Sequence, residues 1–193
     1  MSRIILASAS PRRRELLDQI GLEFTVMPSS VAEEGDASSP EEKAEHFAVI
    51  KAQDVAGKLD GDGYVIGADT IVVVDGDIFG KPADKEDARR MLIRLRGREH
   101  QVITGLAVIR LRDGETITGH EITTVIMRPL SGGEIDGYIA TGEPMDKAGA
   151  YAIQGRGAVF IPGIRGCYFN VVGLPLSRLL SMLSGLGWSS GHE

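Results

Sequence analysis

An α/β fold, a mixed β-sheet flanked by helices, is the architecture this 193-residue chain predicts. Helix-like and strand-like stretches alternate, which sets helices against a sheet. Turn dipeptides at Asp75-Gly76 and Asp113-Gly114 join consecutive strand-like runs, so hairpins interrupt any regular doubly wound pattern. Residues 64–74 are almost continuously apolar and rich in β-formers, as in a central strand buried on both faces.

Residues 3–7 read as a short buried strand turning directly into a helix. Ser10 suits the N-cap, Pro11 the first helical position and Gly21 the stop. Arg12, Arg13 and Arg14 fill the first turn. The helix dipole is already positive there, and each misplaced cation costs roughly 0.3–1 kcal/mol. A bound polyanion accounts for them, because free N–H groups and positive charge at a helix start make a phosphate site. A solvated basic patch is the alternative. Residues 23–27 form a short strand, and 28–40, rich in Ser, Gly and acids, a loop. Residues 41–59 have helical periodicity, with Ala44, Phe47, Ala48, Val55 and Leu59 on one side. Lys51 falls within that apolar stripe, so it either snorkels outward or points into a site that needs a cation.

After the 64–74 strand and the Asp75-Gly76 turn, Ile78-Phe79 begins a return strand. Asp84 caps a helix running to Arg96, with Ala88, Met91, Leu92 and Leu95 inward and Gly97 at its end. A hairpin of 101–111 and 115–127 follows. Ser131 caps a helix over 132–140, the glycine-rich stretch 141–157 is mixed in character, and 158–161 and 168–172 read as short strands. Pro175 opens a last helix with Leu176, Leu179, Leu180 and Leu183 inward.

Composition bounds the partners. A hydrophobic fraction of 42% with 25% charged residues is ordinary for a soluble globular protein. The expectation is one two-lobed domain over 1–188 with a frayed tail over 189–193. A net charge of −6 argues against nucleic-acid or membrane affinity, so the N-terminal arginines are a local feature. Cys167 is the only cysteine, which fits a reducing, cytoplasmic setting. The apolar run of residues 4–7 is too short for a signal peptide, no run is long enough for a membrane span, and the histidines lack zinc spacing.

Asp69 stands inside the apolar strand. A carboxylate there is costly unless paired, hydrogen-bonded, metal-bound or neutralised. Pairing with a buried Arg or Lys is the plain reading; Gly67 and Ala68 beside it leave room for something to approach the strand, which favours a site. Thr70 faces the opposite way by alternation, although a bend could bring both to one cleft. Glu33 and Glu34 lie in the acidic loop and are otherwise solvated charges. Lys81-Pro82 is a rigid loop presenting a cation. The segment 142–155 mixes acids, a lysine and glycines like a loop closing over a ligand, and Gln154 has the donor and acceptor to read a base edge. There is no Walker A, no G-x-G-x-x-G and no G-x-S-x-G pattern. What remains is a cationic set (Arg12, Arg13, Lys51, Lys81) and an acidic set (Asp69, Glu33), which suits a triphosphate with a divalent metal.

Ser8-Ala-Ser-Pro-Arg-Arg-Arg-Glu-Leu-Leu17, Gly67-Ala-Asp-Thr70, Gly80-Lys-Pro82, Asp146-Lys-Ala-Gly-Ala-Tyr151 with Ile153-Gln-Gly155, and Val172-Gly-Leu-Pro175 together resemble the Maf family. The blocks stand in that family's order and cover nearly the whole chain. The resemblance implies a nucleoside triphosphate pyrophosphatase that cleaves between the α and β phosphates with Mg²⁺ or Mn²⁺. It also implies an elongated α/β fold with a central cleft, shared with the inosine triphosphatases, and a homodimer. By motif, Asp69 is implied to be the proton acceptor or essential acid, and Glu33 an acid near the metal. Arg12, Thr70 and Gln154 match positions associated with substrate choice; Arg13, Lys51 and Lys81 match phosphate-contacting cations. The Lys-Ala-Gly-Ala-Tyr and Ile-Gln-Gly pattern resembles the branch preferring dTTP and UTP. The alternatives are the 7-methyl-GTP branch and a nucleotide-binding regulator of division and septum formation.

Overall fold

The structure, a computed structural model, describes residues 3–32, 35 and 38–189. Glu33 and Glu34, and residues 190–193 of the expected tail, lie outside the described residues. Among the described residues the sheet is mixed and seven-stranded, in the order β2 (Thr25–Val26), β1 (Ile4–Leu6), β3 (Tyr64–Val74), β5 (Glu99–Arg110), β6 (Thr116–Ile126) and β7 (Gly163–Arg165). β4 (Asp77–Phe79) pairs with β3 off that path. β1 runs parallel to both β2 and β3, whereas β3–β4 and β6–β7 are antiparallel. The expected mixed sheet with helices is therefore the observed one. The described residues divide into two compact units: those within 1–69, 104–121 and 173–193 form the first, and 70–103 with 122–172 the second.

In the first unit, α1 (Pro11–Gln19) leaves β1 as expected, and Gly21 at φ 67° ends it while its N–H reaches the Asp18 carbonyl. Ser10 occupies the N-cap, but its hydroxyl makes no capping bond. Helix α2 (Pro40–Ala56) starts a residue earlier than expected because Pro40 takes the first helical position behind Ser39, whose hydroxyl accepts from the Glu42 N–H. Its Ala48, Ala52 and Val55 pack against Ile5, Ala7, Val65, Ala107 and Ile109. The approach is very close: a Cβ at Gly67 would lie 2.1 Å from the Ala48 carbonyl oxygen, and one at Gly105 2.2 Å from that of Ala44. The room at Gly67 is thus filled by the backbone of α2, which corrects the expectation that it marks space for a ligand. In α6 (Leu176–Gly185), Leu176, Leu179 and Leu183 face inward as expected, joined by Met182, while Leu180 is only half-buried.

The second unit has its own core. Val72 and Val74 of β3, Ala88, Met91, Leu92 and Leu95 of α3 (Lys85–Leu95), and Ile135, Tyr138 and Ile139 of α4 (Gly132–Ala140) form one cluster with Tyr151 and Phe160. Asp84 caps α3 through the Asp87 N–H, and Ser131 with Glu134 completes a capping box on α4. His100 is 3% exposed, and its Nε2 lies 2.7 Å from the Tyr151 hydroxyl. Burial lowers its pKa to about 4.

Two short strands are corrected. Residues 158–161 belong mostly to a 3₁₀ turn over Gly155–Phe160, and 168–172 form helix α5 (Tyr168–Val172). The run Tyr-Phe-Asn-Val-Val has strand propensity, but tertiary hydrogen bonding decides it. Asn170 is fully buried and donates to the Val102 carbonyl at 3.0 Å and the Thr123 hydroxyl at 2.8 Å. The strand of this region is β7, at Gly163–Arg165.

Candidate active site

Alternation along β3 places Val65, Gly67 and Asp69 on one face. That face carries α2, and the same close packing at Gly67 brings Lys51, beside Ala52, to Asp69. The ammonium nitrogen sits 2.6 Å from Asp69 Oδ1, with the two side chains 14% and 10% exposed. Lys51 therefore resolves its two readings: it points inward, to the carboxylate. This is the pairing that the plain reading of a buried Asp requires, made between two residues singled out for chemistry.

Arg13 is placed by the start of α1. Its Nε donates to the Gly173 carbonyl at 2.8 Å, and one terminal nitrogen donates to the Ser8 hydroxyl at 3.0 Å and the Ala68 carbonyl at 2.9 Å. The Ala68 carbonyl belongs to the peptide that leads into Asp69. Ser8 also accepts from the Ser10 N–H at 3.3 Å, so the turn between β1 and α1 is tied to the end of the β3 segment in this unit. Arg12, on the same helical turn, is half-buried, and Arg14 is exposed. Ser8, Ala68 and Gly173 stand in the sequence blocks that carry the resemblance, but no role attaches to them there, because neither a serine two residues before an N-cap nor a Gly-Leu-Pro bend states which side chain it will meet.

In the second unit, Thr70 is half-buried and Lys81 is exposed in the loop after β4. The Gly80 carbonyl accepts from the Gly149 N–H at 3.0 Å, so the Lys81 loop and the Lys147–Ala150 turn are held together. Lys147 folds back, its ammonium donating to the Glu143 carbonyl and to Asp146. Gln154 is half-buried just before the 3₁₀ turn, and its side chain makes no capping bond there.

Glu143 organises this region and was also not singled out in its own right. Its Oε1 accepts from the Tyr138 hydroxyl at 2.9 Å and the Gly157 N–H at 3.0 Å; its Oε2 accepts from the Arg156 N–H at 3.0 Å. Burial opposes its charge, but those two amides, the tyrosine and the nearby Lys147 outweigh it and hold its carboxyl below the usual range. Tyr138 is shifted the other way, upward, by burial and then by its bond to Glu143.

Among the described residues no group of three or more His, Cys, Asp or Glu is placed to hold a metal. Asp69 presents a single carboxylate, its Oδ1 paired with Lys51 at 2.6 Å, which is the kind of donor a hard dication uses when it takes its other ligands from phosphates and water. No helix among the described residues is long and apolar enough to cross a membrane.

The family model described as "Maf-like protein" matches residues 3–186. The chain is similar to a protein named dTTP/UTP pyrophosphatase from Pelotomaculum thermopropionicum, 52% identical over 190 residues, covering 98% of this chain and 99% of that one. A second of the same name, from Symbiobacterium thermophilum, is 52% identical over 97% of this chain and 96% of its own length. Among solved structures, the Ham1 protein of Staphylococcus aureus aligns with a TM-score of 0.49 and 18% identity, over 83% of this chain and 80% of that one.

Proposed function

The chain belongs to the Maf-like family, and from that premise we propose that it hydrolyses dTTP and UTP to the nucleoside monophosphate and pyrophosphate. The observation that carries the reading is identity of about half of all residues, over the whole chain, to enzymes of that name. The geometry adds a buried carboxylate, Asp69, paired with Lys51 beside a helix start that carries Arg12 and Arg13.

In the proposed reaction Asp69 orients a water and takes its proton as the water oxygen bonds to the α phosphorus. The bridging bond between the α and β phosphates breaks, and pyrophosphate leaves. Arg12, Lys51 and Lys81 neutralise the phosphates, Arg13 shares that role while tying Ser8, Ala68 and Gly173 together, and Thr70 and Gln154 select the base. A divalent cation, Mg²⁺ or Mn²⁺, would be held by Asp69 and the triphosphate, with Glu33 as a further ligand. When bound it supplies charge neutralisation and a more acidic water. The single cysteine fits a cytoplasmic protein, and a homodimer belongs to the same proposal.

A panel of pyrimidine and purine triphosphates, with and without Mg²⁺ or Mn²⁺, assayed for pyrophosphate tests the reading. The expected result is metal-dependent release from dTTP and UTP, with Asp69→Asn lowering turnover by about 100-fold or more while the protein stays folded. Preference for 7-methyl-GTP would move the chain to the sister activity. Tight nucleotide binding without pyrophosphate release would favour a regulator of division. Wild-type turnover by Asp69→Asn would sink the role of that residue.

A further inference from the structure

Residues 152–157 fold back on themselves, and both arms of the bend are fastened to one pair of side chains. On the near arm the Ala152 N–H donates to the Tyr138 hydroxyl at 3.2 Å, and that hydroxyl donates to Glu143. On the far arm the Arg156 and Gly157 N–H groups both donate to the Glu143 carboxylate at 3.0 Å. Gln154 is at the middle of the bend. Gly155 follows it at φ 67°, and a Cβ there would lie 2.8 Å from Glu143 Oε2. A Cβ at Gly157 would lie 2.5 Å from the Ala152 carbonyl oxygen and 2.7 Å from the Tyr138 hydroxyl. The bend is therefore closed by contact and has one path open to it.

We propose that Glu143, with Tyr138, is the positioning element that sets base selectivity by fixing the Gln154 bend; this rests on the reading of the chain as a dTTP/UTP pyrophosphatase. A primary amide distinguishes bases only if its donor and acceptor ends are presented in a fixed order to the base edge. The Gln154 side chain makes no capping bond at the start of the 3₁₀ turn, so its bearing is inherited from the backbone on either side. The backbone is held by an ionised acceptor, whose bonds to N–H groups are stronger than those of a neutral one. Glu143→Gln keeps the shape but turns one acceptor oxygen into a donor. That end then faces an N–H with no lone pair to offer. The bend loosens at Arg156 or Gly157 while the packing of Tyr138 against Phe160, with ring centroids 5.0 Å apart, is left in place.

The test compares the unaltered protein, Glu143→Gln, Tyr138→Phe, Gln154→Ala and the Glu143→Gln/Gln154→Ala double variant. For each, kcat and KM are measured with dTTP, UTP, CTP and dGTP, alongside amide exchange at Arg156 and Gly157. Glu143→Gln is expected to narrow the preference for dTTP and UTP about tenfold, mostly through KM, and to speed exchange at one or both amides. In the Gln154→Ala background the same change should have no further effect on selectivity, because the residue it positions is gone. Tyr138→Phe should produce a weaker shift in the same direction, and it carries the test if Glu143→Gln does not fold.

Unchanged selectivity, an equal loss of kcat on all nucleotides, or additive effects in the double variant would overturn the proposal. So would wild-type exchange at both amides. Absence of hydrolysis by the unaltered protein overturns instead the pyrophosphatase reading, which the amide exchange does not depend on.

Discussion

Lys51 and Asp69 are each costly where they stand, because the core of the first unit surrounds them and each would be desolvated alone. Their 2.6 Å contact offsets that cost, with both side chains largely buried. Removing one partner should therefore hurt more than removing both. Lys51→Met is expected to lower unfolding free energy by about 3 kcal/mol in urea titrations, and Lys51→Met/Asp69→Asn by clearly less. An additive result would show that the pair is not coupled. Each residue was legible by itself in the sequence: a lysine in an apolar stripe, a carboxylate in an apolar strand. Their pairing was not, because nothing local states which strand a helix face will meet. Arg13 shows a different limit. Three consecutive arginines all signal an anion site, and only the fold shows that one of them also clamps the Ala68 and Gly173 carbonyls. Glu143 was hidden for the same reason, since its partners are backbone amides more than ten positions away, which leave no pattern in the residue types.

At the scale of elements, α2 is seated by the absence of side chains beneath it. Gly67→Ala would drive a methyl into the Ala48 carbonyl, at 2.1 Å, and an α-helix cannot yield there without moving as a whole. The expected cost is about 1–3 kcal/mol or more, measured by thermal or urea unfolding, with turnover falling as Lys51 is displaced from Asp69. Near-wild-type stability would mean that α2 sits further from the strand. The starts of α1, α3 and α4 are legible because Pro11 suits a first helical position and Asp84 and Ser131 cap through local bonds, whereas Ser39 and Pro40 at the start of α2 read as the end of a polar loop. Residues 158–161 and 168–172 read as strands in the sequence because the opposite holds there. The aromatic and β-branched residues of α5 favour a strand locally, and the two bonds of Asn170 to Val102 and Thr123 hold them as a helix.

Stability of the molecule as a whole should depend on pH through His100. Burial lowers its pKa from 6.5 to about 4, so below pH 6.5 the unfolded chain binds a proton that the folded protein does not. Its contribution is complete above pH 6.5 and is lost progressively as pH falls towards 4, on the order of 3 kcal/mol at about 1.4 kcal/mol per unit. Urea titrations at pH 7, 6 and 5 should show that decline in the wild type and a flatter response in His100→Gln; parallel curves would contradict it. The seating of α2 also bears on how the sequence can change over evolutionary time. At Gly67 and Gly105 the nearest obstruction is main chain, and main chain is present whatever residue a lineage carries at 48 or 44. No second substitution in the helix can make room, so neither position has a permissive background. Drift can rewrite the solvated face of α2 freely, yet it cannot pass through a side chain at either glycine without first abandoning the helix's path. A saturation library should return glycine at 67 and 105 under selection for folding alone, before any selection for catalysis is applied.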